Sequence, residues 1–202
     1  MILHATYMDD EALKAVVDRK VPLVPTFTFQ ANLADFGAAI GSDENLREVF
    51  RAEITESVGT LRAAFDAGVP LATGSESGFS LTPYGDWHYR ELQVFVEDLG
   101  MTPLQAINSA TERGARALKL EGELGCIKPD YLADILIFDG EPETHITQLG
   151  DADRFRHIIK DGRLIDTSTP LPKEWQLPGW RVSEYSERIL TKELVQSMGL
   201  NH

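Results

Sequence analysis

The segment 68-GVPLATGSESGFS-80 passes directly from an apolar run, residues 69–72, into a turn of small residues that contains one carboxylate, Glu76. A short apolar run bounded by glycine and serine is typical of a buried strand that ends in a loop. We therefore expect a strand over 69–73 whose carboxyl end opens into a loop carrying Glu76.

Two more short apolar segments precede this one, at residues 1–6 and 21–27, and both are expected as strands. Helical periodicity lies between and after the strands, over 10–19 and about 88–98. Alternation of strands and helices predicts an α/β fold, in which parallel strands are joined by right-handed crossovers.

The longest predicted helix has Ser42 as its expected cap and ends before Gly68, in the position that glycine favours after a helix. Residues 28–41, rich in Ala, Gly and Phe, are expected as a loop. Thr102 and Gln105 have the spacing of a capping box, which predicts another helix start.

The character of the sequence changes after residue 118. A predicted strand over 133–138 is followed by a hairpin with Asp161-Gly162 as its two-residue turn. We expect three parts: an α/β part at 1–118, a small β layer at 119–170 and a tail at 171–202.

Composition limits the classes of partner. The 202 residues are 43% hydrophobic and 25% charged, with a net charge of −13, which argues against nucleic acid and anionic membranes as partners. Cys126 is the single cysteine, so a disulfide within the chain is excluded and a reducing compartment is expected. No run reaches the ~20 apolar residues of a membrane span, and we expect a cytoplasmic protein.

The residues that follow the three predicted parallel strands should meet on one side of the sheet, because working residues lie at the carboxyl ends of parallel strands. The strands are expected to end at His4, at Pro25-Thr26 and at Ser75-Glu76. Imidazole and carboxylate are suitable ligands for Zn²⁺. The alternatives are that His4 is an ordinary surface or core histidine and that Glu76 is a solvated or capping carboxylate.

Four stretches carry a resemblance to the amidohydrolase superfamily, in its imidazolonepropionase and prolidase-like branch. They are 3-LHATYMDDEALKAVVDRKVPLVPTF-27, 68-GVPLATGSESG-78, 99-LGMTPLQAINSATERGARALKLEGELGCIKPDYLADILIFDG-140 and 158-IIKDGRLID-166. The first is similar to the family's sixth strand, helix and seventh strand, the second to its eighth strand, and the others to its closing segments. The resemblance covers about residues 1–166.

The resemblance implies a partial (β/α)8 TIM barrel, with strands six to eight and their helices, followed by a small β-sandwich portion. Strands one to five have no counterpart, so a missing N-terminal barrel half or a homo-oligomeric partner is expected to complete the barrel. The family also implies a divalent metal centre of one or two ions, with Zn as the first expectation and Fe or Mn as alternatives.

The function implied is hydrolysis of carbon–nitrogen bonds other than peptide bonds, in amides, dipeptides or cyclic amides, through metal-activated water. His4 takes the position of a metal ligand, and Glu76 that of a metal ligand and catalytic residue. The family usually has Asp where this chain has Glu76. The chain alone is expected to be inactive.

Tyr84 and His88 follow the third strand and are expected to contact a small-molecule substrate; the alternative is that Trp87 packs this loop down and His88 is an exposed first-turn residue. Two other functions remain open. One is a non-catalytic remnant or subunit that has kept the fold and lost the metal site, and the other is a stand-alone α/β binding module.

Overall fold

Three parallel segments lie side by side in the computed structural model, which describes residues 1–168 and 188–200. Strand β1 (Ile2–Leu3) pairs in parallel with β2 (Leu23–Val24), and Leu23 forms a parallel bridge to Leu71 on its other side. The predicted parallel order is confirmed. The segments are shorter than expected, since the third is a single bridged residue.

Helix α1 (Asp10–Arg19) connects β1 to β2 over the predicted range. It begins at a local cap, because the carboxylate of Asp9 accepts a hydrogen bond from the Ala12 N–H at 2.8 Å. It ends at Lys20, which is in the left-handed conformation, and Val16 is its buried residue.

Helix α3 (Glu44–Asp66) is the longest, with 23 residues. Its cap is Asp43, whose carboxylate accepts from the N–H groups of Asn45 and Leu46, so the expected cap at Ser42 is wrong by one residue. A carboxylate at this position also interacts favourably with the positive end of the helix dipole.

Three more helices follow the third parallel segment. They are α4 (His88–Glu97), α5 (Pro103–Ala110) and α6 (Glu112–Ala117). The predicted capping box is confirmed: Gln105 N–H donates to Thr102 Oγ1 at 3.2 Å, and Thr102 N–H donates to Gln105 Oε1 at 2.8 Å.

The expected loop at 28–41 is instead helical, with α2 (Phe27–Phe36) followed by a 3₁₀ turn over Gly37–Ile40. Eight of the ten residues of α2 are buried. A helix buried on nearly all sides lacks the polar stripe that gives an amphipathic helix its period. This is why the sequence pattern did not reveal it.

Helix α2 is capped from a distant part of the chain. The side chain of Thr26, at its N-cap, makes no capping hydrogen bond. Instead, Glu91 of α4 is fully buried, and its Oε2 accepts from both the N–H and the hydroxyl of Thr28, each at 2.8 Å. Burial raises the pKa of Glu91 to about 7, although hydrogen bonds from Thr28 and from the N–H groups of Phe27 and Thr26 oppose the shift.

The core consists of two apolar clusters. One joins the parallel segments to α1, α3, α4 and α5, and the other joins α2 to helix α7 (Lys192–Ser197). Trp87 lies in the second cluster, where it is 2% exposed and its indole N–H donates to the carbonyl of Leu190 at 2.8 Å. The tryptophan therefore packs this loop against the C-terminal segment.

A three-stranded antiparallel sheet follows the helices, in the order β3 (Ile135–Phe138), β4 (Phe155–Lys160) and β5 (Arg163–Leu164). The predicted hairpin is confirmed, and Asp161 and Gly162 both have positive φ, as a two-residue hairpin turn requires.

Residues 171–187 and 201–202 of the expected tail, and 169–170 of the expected β layer, lie outside the described residues. Within the part of the chain that the structure describes, no helix has both the length and the apolar character needed to cross a bilayer.

Gly74 fixes the spacing between the second and third parallel segments. A Cβ at Gly74 would lie 2.5 Å from Val24 Cγ1 and 3.1 Å from Thr26 Cγ2. We predict that Gly74→Ala lowers the free energy of unfolding by about 1–3 kcal/mol through overpacking. Gly59→Ala, inside α3 with no atom within 4 Å of the added Cβ, should raise it by about 1 kcal/mol. Urea unfolding measures both, and changes of the same sign would contradict the assignment.

The raised pKa of Glu91 predicts a dependence of stability on pH. The folded chain binds this proton more tightly than the unfolded chain, whose pKa is about 4.5. The stabilisation is complete below about pH 4.5 and is lost as the pH rises through about 7. Glu91→Gln removes the titrating group. The difference in free energy of unfolding, native chain minus variant, should therefore decrease as the pH rises from about 4.5 to about 7.

Urea unfolding at a series of pH values measures this difference. Burial causes the shift, and hydrogen bonds from Thr28, Phe27 and Thr26 oppose it. Gln93→Leu is the control, because Gln93 is buried in the same helix and does not titrate. Its pH profile should run parallel to that of the native chain. A Glu91→Gln profile that is also parallel would show that Glu91 does not titrate in this range.

Candidate metal site

The backbone leaves each parallel segment in a left-handed conformation. The φ angles are 66° at His4, 61° at Thr26 and 52° at Glu76, and none of these residues is glycine. A non-glycine residue in this region costs roughly 1–2 kcal/mol, and such conformations are concentrated at functional sites. The three strand ends that the sequence singled out are therefore also strained points of the backbone.

These conformations bring His4 and Glu76 together. The Nε2 of His4 lies 3.7 Å from the Oε1 of Glu76, and the two side chains are 53% and 33% exposed. Donors that share one tetrahedral Zn²⁺, with bonds of ~2.1 Å, lie roughly 3.4 Å apart. The pair therefore fits two positions of one metal centre and faces solvent on the open side.

Thr26 orients the imidazole of His4 through its Nδ1. Its hydroxyl lies 2.6 Å from the Nδ1 of His4 and donates to the carbonyl of Pro25, also at 2.6 Å. Since the single hydroxyl proton is directed to Pro25, we infer that the Nδ1–H of His4 donates to Thr26. In the neutral ring this leaves a lone pair on Nε2, the nitrogen nearest Glu76, which is the form that binds a metal.

The loop after Glu76 is linked to the segment that contains the predicted substrate residues. Ser75 Oγ lies 2.8 Å from His88 Nδ1 and 2.9 Å from Ser77 Oγ. The ring of Tyr84 covers Gly78, where an added Cβ would meet Tyr84 Oη at 3.0 Å. The structure thus brings both predicted residues to the loop of Glu76, where they lie against its neighbours Ser75 and Gly78.

His88 has an environment that favours the neutral imidazole. Partial burial of the ring lowers its pKa, and the charge of Lys192 adds to this effect, whereas Asp86 opposes it. A neutral ring presents both a donor and an acceptor nitrogen. His88 can therefore form its hydrogen bond with Ser75 through Nδ1 and offer its other nitrogen to a bound molecule.

Three hydrogen bonds from different parts of the chain hold the loop in place. The amide of Asn32 in α2 donates to the carbonyl of Leu81 at 2.8 Å, and the N–H of Leu190 donates to the carbonyl of Ser80 at 2.7 Å. Within the loop, the hydroxyl of Thr82 donates to the carbonyl of Glu76 at 2.8 Å. The position of the Glu76 carboxylate thus depends on α2 and on the C-terminal segment.

Sequence reasoning gave no role to Thr26, Ser75 or Glu91. Thr26 and Ser75 lay at predicted strand ends, but a small hydroxyl residue there is common. The signal for Glu91 was available, because a carboxylate interrupts the apolar face that Val94 and Phe95 form in α4. In residues 1–168 and 188–200, no group of three or more His, Cys, Asp or Glu side chains is arranged to hold a metal ion.

Comparison with known proteins extends these observations. The ochratoxinase of Aspergillus niger is 26% identical over 164 residues, which are 80% of this chain and 33% of that protein. The imidazolonepropionase of Nocardia farcinica is 28% identical over 163 residues, 80% of this chain and 35% of that protein. The chain spans about a third of the length of these curated relatives.

A solved structure of a Xaa-Pro dipeptidase is also similar, with a TM-score of 0.65 and 30% identity over 82% of this chain and 39% of that one. The α/β fold matches structures of this type. A model described as the amidohydrolase family matches residues 2–165, which is most of the sequence. The chain therefore belongs to the amidohydrolase family.

Proposed function

We propose that this chain is part of a metal-dependent hydrolase that cleaves carbon–nitrogen bonds in amides, dipeptides or cyclic amides. The observation that carries the proposal is the pair of donors at the strand ends, His4 Nε2 and Glu76 Oε1, 3.7 Å apart. Family membership supports it, since the similar proteins include enzymes named imidazolonepropionase, ochratoxinase and Xaa-Pro dipeptidase.

His4 and Glu76 would hold a divalent ion, with Zn²⁺ as the first candidate because both ligand types suit it; Fe or Mn are the alternatives. When bound, such an ion polarises a carbonyl oxygen and lowers the pKa of a water molecule. The hydrogen bond of His4 Nδ1 with Thr26 keeps Nε2 available as the donor.

Glu76 would take part in the reaction itself. Its carboxylate accepts a proton from the water that adds to the carbonyl carbon and returns a proton to the nitrogen as the C–N bond breaks. Tyr84 and His88, both at the loop of Glu76, would contact the substrate. Glu76 is one methylene longer than the Asp usual in the family, so its carboxylate reaches further from the strand.

We further propose that β1, β2 and the segment of Leu71 are strands six to eight of a (β/α)8 barrel within residues 1–118. Residues 119–170 would be the β-sandwich portion and 171–202 a tail. The parallel order of the three segments supports this division. Strands one to five would come from a preceding part of a longer polypeptide.

Exposed apolar surface supports a missing segment. An open, mostly apolar cleft of about 880 Å³ lies between the parallel segments, α5, α6 and the antiparallel sheet. Its lining includes side chains that are more than half exposed: Met1, Leu3, Leu118, Ile127 and Leu136. A surface of this kind is typical of an interaction site. The N-terminal barrel half is the occupant that we propose, because the chain spans only about a third of its relatives' length.

A non-catalytic remnant or subunit is the second candidate. Two observations favour it: the described residues supply two donors rather than a full ligand set, and Glu76 replaces the usual Asp. A stand-alone binding module is not supported, because the chain belongs to the amidohydrolase family. The net charge of −13 and the single Cys126 support the proposals of a cytoplasmic location and of no nucleic-acid or membrane partner.

A zinc titration tests the proposed ligands. We predict that adding Zn²⁺ to the chain shifts the NMR signals of the His4 imidazole before those of the other histidines. Both His4→Ala and Glu76→Gln should weaken this binding at least about tenfold, because each removes one donor. His157→Ala is the matched control, since His157 is an exposed residue of β4. Zinc binding that persists in both site variants would contradict the assignment.

An activity measurement separates the hydrolase from the remnant. The DNA upstream of the Met1 codon is read in frame, and the longest open polypeptide is assayed on N-acyl amino acids, Xaa-Pro dipeptides and cyclic amides. We predict hydrolysis that a chelator abolishes and that Glu76→Gln lowers by about 10²-fold or more. Glu76→Asp should retain activity, because it keeps the carboxylate.

If the frame is closed upstream, the same assay is carried out on the chain with Zn²⁺ added, after its native mass is measured. Absence of hydrolysis by the zinc-loaded protein would favour the remnant.

A further inference from the structure

We propose that Glu91 is a positioning residue for His4. The buried carboxylate holds the start of α2, and this keeps Thr26 in the conformation in which its hydroxyl meets the Nδ1 of His4. The proposal rests on the proposed function in so far as His4 is a metal ligand, but the contacts on which it depends are all within this chain.

The threonine at the start of α2 does not cap its own helix. Threonine at an N-cap ordinarily uses its hydroxyl to accept from an N–H of the first turn of its own helix. Thr26 does not, because its hydroxyl lies between the carbonyl of Pro25 and the ring of His4. The first-turn N–H groups of a helix still need partners, since an unsatisfied buried donor costs ~1–3 kcal/mol.

Glu91 of α4 caps α2 in place of Thr26. Glu91 Oε2 accepts from the N–H of Thr28, the second residue of α2, and from its hydroxyl. The N–H groups of Thr26 and Phe27 also face this carboxyl. Oε1 has no hydrogen-bond partner among the described residues. Burial of a carboxylate is unfavourable unless donors surround it, and the start of α2 supplies those donors.

Thr26 connects the cap of α2 to the candidate metal site. Thr26 is in the left-handed conformation, with φ of 61°, which is unfavourable for a branched residue unless neighbouring contacts impose it. The residues on its C-terminal side are fixed by Glu91, and those on its N-terminal side by the pairing of β2. Thr26 is thus held with its hydroxyl oxygen positioned to accept from His4. A local threonine cap would direct that hydroxyl toward the first turn of α2 instead of toward the imidazole.

The test measures the His4 tautomer in the metal-free chain by ¹⁵N NMR of the imidazole. In the native chain we expect a protonated Nδ1 and an unprotonated Nε2. Glu91→Leu should move the Nε2 signal toward that of a protonated nitrogen, as should Thr26→Val, which removes the hydroxyl directly. Glu91→Gln, which keeps one acceptor for Thr28, should have a smaller effect.

Gln93→Leu is the matched control. Gln93 is buried in α4, and its side-chain amide donates to Glu97, so the variant loses a partly buried hydrogen bond within the same helix and keeps the Glu91 cap of α2. It should lower stability and leave the His4 tautomer unchanged. If Glu91→Leu does not fold, Thr28→Val removes only the hydroxyl donated to Glu91 and is measured in the same way, with a smaller tautomer shift expected.

An unchanged His4 tautomer in every folded Glu91 or Thr28 variant would overturn the proposal, because Glu91 would then have only a structural role. The second readout is Zn²⁺ affinity, which should fall about 10- to 100-fold in Glu91→Leu, as for other residues that orient a metal ligand. The tautomer needs no metal. If the variants shift the His4 tautomer while the native chain binds no zinc, the result supports the positioning role and counts against the proposed function.

Discussion

The arrangement of the site depends on the parallel pairing on both sides of Leu23. Its N–H donates to the carbonyl of Pro70 and its carbonyl accepts from the N–H of Ala72, each at 2.9 Å, while β1 pairs with the other edge of β2. Because side chains alternate along a strand, a shift of one residue in this pairing would turn each following side chain to the opposite face. The meeting of His4 with Glu76 is therefore a consequence of backbone register. A direct attraction does not bring them together, since the unprotonated Nε2 of His4 has no proton to donate to Glu76 and both side chains are partly exposed to solvent.

Two adjacent residues of helix α4, Arg90 and Glu91, lie against the two ends of α2 and hold that helix in position. Glu91 lies against the amino-terminal end, while Arg90 pairs with Asp35 near the carboxyl-terminal end and lies over the ring of Phe36. Arg90 has the sign that suits the negative carboxyl-terminal end of the helix dipole, and Glu91 accepts hydrogen bonds from the first turn. A helix with no polar stripe of its own is thus oriented by side chains that a neighbouring helix supplies.

Local signals allowed much of the fold to be predicted from the sequence. The range of α1, the capping box of Thr102 and Gln105, and the Asp161-Gly162 turn each depend on residues close in sequence, and the sequence predicted all three. The proximity of His4 and Glu76 followed from the general rule on strand ends. Helix α2 was missed because its cap is 63 residues away from Thr28 and its surface is buried. The roles of Thr26 and Glu91 depend on the same long-range contact, which no local pattern contains.

The contacts of Leu190 have a consequence for the order in which the chain acquires its structure. Its N–H donates to Ser80 and its carbonyl accepts from Trp87, so the loop that carries Glu76 is completed by a residue about 110 positions later in the sequence. At the usual rates of protein synthesis this separation corresponds to roughly 5–20 seconds. On the ribosome, helices α1 to α6 can form while the Glu76 loop still lacks the two hydrogen bonds to Leu190. Closure of that loop is therefore a late event relative to the helices that precede it, and synthesis of the segment that contains Leu190 determines when it takes place.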